Sequence, residues 1–87
     1  MSFHLDFSDQ AKSEIDDHKK AGNKAVLKKL LNLLTELSEH PFEGTGKPEA
    51  LKHNLSGFWS RRINNEHRLV YEVSSDIVYI ISVKGHY

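Results

Sequence analysis

A short stretch of this chain gathers much of its cationic chemistry. Arg61, Arg62 and Arg68 are its only arginines and lie within eight positions of one another. Lys47, Glu49, Lys52 and His53 stand just upstream, and the chain closes on His86 and Tyr87. These residue types suit cleavage of an RNA phosphodiester without a metal. RNA carries its own nucleophile, the 2′-hydroxyl. The protein must then supply a base near that hydroxyl, a cation for the charge that builds on the phosphate, and an acid for the leaving 5′-oxygen. Glu49, or a neutral group, is the candidate base. Arg62 and Arg68 can hold the phosphate through paired N–H donors. His86 is the candidate acid, because an imidazole of ordinary pKa, ~6.5, is partly protonated near neutrality. Lys47, Lys52 and His53 can meet flanking phosphates, and Phe58, Trp59 or Tyr87 can stack on a base.

Each residue also has a plainer reading. Glu49 can simply pair with a neighbouring lysine. Arg61 reads as a solvated strand residue, Trp59 and Tyr71 as core, and His4, His18 and His40 as surface residues. A histidine one position from the chain end is ordinarily frayed.

Several other chemistries have no support. The chain has no cysteine, which excludes disulfides, thiolate metal sites and cysteine nucleophiles. Its six histidines, at 4, 18, 40, 53, 67 and 86, are never three or four residues apart, so no local metal-binding spacing exists. No Walker A loop or GxGxxG fingerprint is present, and no cofactor is expected. A helix-turn-helix reading is weak because both helices precede the basic segment. Charge balances at 12 basic and 12 acidic residues, but unevenly: the first 43 residues carry a net −2 and the remainder a net +2. A basic patch on a neutral chain suits a local anionic ligand better than general adhesion to a polyanion; its plain reading is a solvated sheet face. No apolar run approaches the roughly 18 residues of a membrane span, and the N-terminus lacks a secretory pattern. A cytoplasmic protein without a membrane partner is the resulting expectation.

The elements that must position these residues follow from the hydrophobic period. At 87 residues the chain is read as one domain, residues 1–87. Phe3, Leu5 and Phe7 alternate with polar residues and predict a first strand. Ser8 is a candidate N-cap for a helix from about 9 to 20, which Gly22 stops. Asn23 can cap a second helix. Its apolar stripe is Val26, Leu30, Leu33, Leu34 and Leu37, widened by Leu27 and Leu31, and Pro41 closes it. Two residues between the helices predict an antiparallel hairpin. Residues 41 to 50 form a charged loop rich in Gly and Pro, a candidate active-site loop. Four strands are then expected, near 51–54, 58–64, 67–73 and 77–83, joined by short turns as an antiparallel meander. The order βααββββ predicts an α+β fold: a two-helix hairpin on one face of a mostly antiparallel sheet of about five strands. The opposite face stays uncovered, and Arg62, Arg68 and His86 can converge there with Lys47, Glu49 and Lys52 at its rim.

The block GKPEALKHNLSGFWSRRINNEHRLVYEV, together with the terminal GHY, closely resembles the YoeB/Txe family of toxins in the RelE/ParE superfamily. The likeness runs over residues 41 to 73 almost without a break and resumes at the last two residues. The N-terminal half resembles the family in layout only. The resemblance implies a RelE-like, microbial-ribonuclease-like fold and the toxin of a type II toxin–antitoxin pair. Such toxins bind the A site of the 70S ribosome and cut mRNA there, which stops translation. The implied partners are a cognate antitoxin of the YefM/Phd kind, the ribosome and mRNA, and related toxins suggest a homodimer. By the same resemblance Glu49 in GKPEAL matches the general base, and Arg68 in EHRLVY the arginine that stabilises the transition state. His86 matches the general acid, and Tyr87 a tyrosine that positions substrate. Arg62 in SRRI and Lys52 in LKHN match positions near the phosphate backbone. The chain departs from the pattern at Thr45, Ala50 and Lys84-Gly85. A superfamily relative that inhibits gyrase by binding, as ParE does, and a plain interaction module are the alternatives.

Overall fold

A computed structural model describes residues 2–51 and 57–85. Along the chain it shows β1 (His4–Phe7), α1 (Asp9–Lys20), α2 (Lys24–Leu37), β2 (Glu49–Ala50), β3 (Phe58–Arg62), β4 (Arg68–Ser74) and β5 (Ile77–Ser82). The strands form one sheet in the order β1-β5-β4-β3-β2. β1 runs parallel to β5, and every other pairing is antiparallel.

Ser8 starts α1 as its sequence context predicts. Its backbone is extended, and its Oγ accepts the Ala11 N–H at 2.9 Å. The same hydroxyl donates to the Ile81 carbonyl at 2.7 Å, so one side chain caps the helix and ties it to β5. A cap of this kind contributes about 1 kcal/mol. Gly22 adopts φ +71°, the left-handed turn that ends the helix without a side-chain clash. Asn23 opens α2 without capping it: its side chain makes no bond to the helix amides and instead lies 3.5 Å from His18 Nδ1.

Val26, Leu30, Leu33 and Leu37 of α2 are buried and pack with Ala11 of α1 against Leu69 and Tyr71 of β4 and Val78 and Ile80 of β5. Burying each such leucine stabilises the fold by roughly 1.5–3 kcal/mol. Leu31 falls off this stripe and is exposed, so the stripe is narrower on that side than the sequence suggests. α2 ends at Leu37, ahead of Pro41.

Both helices cover one face of the sheet. In β4, Leu69, Tyr71 and Val73 point to the helices, and Arg68, Val70 and Glu72 to the open face. The period of two carries the same division across the sheet by register: Phe58, Ser60 and Arg62 share the open face of β3. The strand expected near 51–54 falls largely outside the described residues, and the structure describes a short strand just ahead of it. This short strand is Glu49–Ala50, which pairs with Ser60 and Trp59, and residues 52 to 56 lie outside the described residues. Glu49 itself lies in the sheet.

Candidate functional site

The loop before β2 is held by a buried cation. Arg61 is fully buried on the helix side, which corrects its reading as a solvated residue. Its five N–H donors are all used. Nε donates to Tyr71 Oη at 3.3 Å. Nη1 donates to Glu36 Oε1 at 3.2 Å and to the Thr45 carbonyl at 3.3 Å. Nη2 donates to the carbonyls of His40 at 2.5 Å and Glu43 at 2.7 Å. Tyr71 Oη in turn donates to the Pro41 carbonyl at 2.6 Å. A buried guanidinium is tolerable only when paired and saturated in this way. Hydrogen bonding from Thr45 first, and then the Arg61 charge, hold the Glu36 carboxyl below its usual pKa against the opposing effect of burial. Burial pushes the Tyr71 phenol up.

Gly46 finishes the loop. Its carbonyl accepts the Arg62 N–H at 2.7 Å, and a Cβ there would stand 2.9 Å from the Arg62 carbonyl oxygen. Only glycine allows that approach at φ +84°. Three residues later the chain enters β2 with Glu49 on the open face, opposite Ser60.

On that face Glu49 Oε2 lies 4.0 Å from Arg68 Nη1. Arg68 Nη1 also donates to Ser60 Oγ at 3.3 Å, and Ser60 is fully buried. The Glu49 side chain is 67% exposed and that of Arg68 25%, so the arginine is seated and the carboxylate faces solvent. The pair is an open ion pair rather than a closed fork, and among the described residues Arg68 has N–H groups left that can bind an anion. Arg62 is the cross-strand partner of Arg68 and is exposed. Two like charges in register repel. An anion seated between them would relieve that repulsion.

The structure therefore brings Glu49, Arg62 and Arg68 together. Lys47 is exposed in the loop, at φ +53°. Lys52, His53, His86 and Tyr87 lie outside the described residues. Phe58 is half-buried on the open face, whereas Trp59 packs against the core and meets the Phe42 ring at 5.1 Å. Among the described residues no cluster of three or more metal-ligating side chains exists.

The approach to the chain end is firmly held. Val83 N–H donates to Glu14 Oε1 at 2.8 Å, and the Val83 carbonyl accepts from His18 Nε2 at 3.0 Å. Lys84 Nζ reaches Asp17 at 3.3 Å. Gly85 N–H donates to His67 Nδ1 at 2.9 Å, and its carbonyl accepts the Arg68 N–H at 2.9 Å. His18, expected at the surface, is thus buried; a carbonyl 65 positions away satisfies it. Sequence reasoning also passed over Ser60, whose only signal is its place between Trp59 and Arg61 in an alternating strand.

Solved structures set this fold among the toxins of toxin–antitoxin systems. The YoeB/ParE toxin from Agrobacterium tumefaciens superposes with a TM-score of 0.92 at 32% identity, over 98% of this chain and all of the other. The YoeB–YefM complex from Staphylococcus aureus matches at a TM-score of 0.86 and 43% identity, covering both chains fully. Toxin YoeB of Escherichia coli K12 is 55% identical over 65 residues, 75% of this chain and 77% of that protein. The family model of the YoeB-like toxin of bacterial type II toxin–antitoxin systems matches residues 7–87, and the chain belongs to that family.

Proposed function

We propose that this toxin is a ribosome-dependent mRNA endoribonuclease that cleaves without a metal. The observation that carries the reading is the Glu49–Arg68 pair, with Arg68 braced on buried Ser60, on the sheet face opposite α1 and α2. Glu49 takes the proton of the RNA 2′-hydroxyl. The freed oxygen attacks the adjacent phosphorus, and Arg68 and Arg62 offset the charge on the phosphoryl oxygens. The bond from phosphorus to the 5′-oxygen breaks, and His86 protonates that oxygen. The products are a 2′,3′-cyclic phosphate and a 5′-hydroxyl. Tyr87 positions substrate, and Lys47, Lys52 and His53 hold flanking phosphates.

Glu49 is too exposed for the protein alone to exclude water from it. The ribosome supplies that closure, along with the alignment of the mRNA, and proximity of this kind is worth several kcal/mol. Local contact within the ribosome also fits a chain of zero net charge. A YefM-like antitoxin, the partner of the similar S. aureus protein, is the proposed inhibitor.

The test is the chemistry of the cut ends in a purified translating system. Fragments with a 5′ end that a kinase labels directly, and a 3′ end blocked until the cyclic phosphate is opened, are expected. Ends bearing a 5′-phosphate and a free 3′-hydroxyl would exclude the mechanism. Intact mRNA with arrested topoisomerase would favour gyrase inhibition instead.

A further inference from the structure

We infer that His67 is a positioning residue for the acid of the proposed reaction, acting through the hydrogen bond that its Nδ1 accepts from the Gly85 N–H. The inference rests on the nuclease reading above and on the role proposed there for His86. His67 stands immediately before Arg68, and these two consecutive residues take both polar groups of the Gly85 backbone: Nδ1 accepts its N–H and the Arg68 N–H donates to its carbonyl, each at 2.9 Å. Gly85 is the last residue before His86. The residue that seats the phosphate and the chain that leads to the acid are therefore fastened to one another at the start of β4.

The orientation of the His67 ring is itself determined. An amide N–H can be met only by a ring lone pair, so Nδ1 carries no proton in this arrangement. The His18 ring packs edge-on against it, with centroids 4.7 Å apart and planes at 76°. His18 is buried and bound through Nε2 to the Val83 carbonyl, two residues before Gly85. Glu14 from the same helix takes the Val83 N–H. Residues 83 and 85 are thus gripped on both their backbone groups, and Lys84 is tied by its side chain to Asp17. Gly85 sits at φ +74°, where a side chain would be strained, so the local bend is fixed as well. Contacts of this density at residues 83 to 85 suit a segment that leads to a group needed in one place, since a misplacement of about 1 Å can lower a rate about 100-fold.

The experiment uses the whole toxin on programmed ribosomes, with single-turnover rates measured on two mRNAs. One is ordinary; the other carries sulfur in place of the bridging 5′-oxygen at the cut, and its thiolate leaves without needing a proton. His67→Phe keeps a ring against His18 and loses the acceptor. His67→Asn keeps an acceptor oxygen near the Nδ1 position. His67→Phe is expected to cut ordinary mRNA about 10- to 100-fold more slowly, to cut the sulfur mRNA as wild type does, and His67→Asn to recover most of the loss. Equal slowing on both mRNAs, no slowing on the ordinary one, or an Asn variant as slow as Phe would each overturn the inference. Should the Phe chain fail to fold, His67→Leu is read in its place and the Asn arm stands unchanged. His86→Ala separates the two levels. If sulfur rescues His86→Ala but not His67→Phe, only the role of His67 falls. If sulfur fails to rescue His86→Ala, the assignment of the acid falls and the inference with it.

Discussion

Arg61 and Arg62 are neighbours in β3 and face opposite sides of the sheet: Arg61 is fully buried with five hydrogen bonds, and Arg62 is exposed across from Arg68. One holds the loop that leads to Glu49, and the other faces solvent beside Arg68. Arg61→Ala should therefore destabilise the fold by about 3–5 kcal/mol, because it strands Glu36 and several loop carbonyls. Arg62→Ala should change stability by about 0.5 kcal/mol or less and lower cleavage. Urea denaturation of both variants, read beside mRNA cleavage, checks the contrast.

The Glu36 carboxyl, held below its ordinary pKa of 4.5, makes the same clamp sensitive to acid. Its folded-state pKa is lower than its unfolded one, so its contribution is present above the unfolded value. That contribution is lost as pH falls from there through the folded value. Glu36→Gln should be less stable than wild type at pH 7, and the gap should close in acid. Urea midpoints of both proteins across this range measure it; a gap that is constant with pH would contradict the linkage.

Ser60→Ala removes the hydroxyl on which Arg68 rests. Stability should fall by only about 0.5–1.5 kcal/mol. The cleavage rate should fall further than that loss of stability would explain, because the guanidinium loses its brace beside Glu49. Single-turnover rates at a temperature where both proteins are fully folded separate the two effects.

Glu49→Gln should abolish toxicity and keep antitoxin binding. The substitution changes one exposed side chain at the rim of the site and leaves its size unchanged. Growth arrest on expression, together with calorimetric titration of the variant with the antitoxin, decides this. Loss of both would mean that Glu49 belongs to the binding surface instead.

Much of the layout was legible in the sequence because it rests on local periods. The α2 stripe, the Ser8 cap, the stop at Gly22 and the alternation in β4 all depend on near neighbours. The misreadings share one physical cause. Arg61 and His18 looked exposed because their types favour solvent. Their burial is offset by partners 10 to 25 and 65 positions away, and no local pattern shows these. Glu49 was identified as a candidate from its motif, but its approach to Arg68 depends on the register of β2, which a two-residue strand hardly signals. The grip on residues 83 to 85 likewise comes from α1 and β4, through partners far away in the sequence.

The central claim is that this toxin cuts mRNA on the ribosome through the open-face pair and the terminal histidine. Primer extension on mRNA in a purified translating system, with wild type, Arg68→Ala and His86→Ala, tests it most directly. Discrete cuts within A-site codons are expected with wild type, with rates about 10²–10³ lower in each variant. Uncut mRNA at wild-type concentrations that still arrest growth, or variants that cut as fast as wild type, would contradict the account.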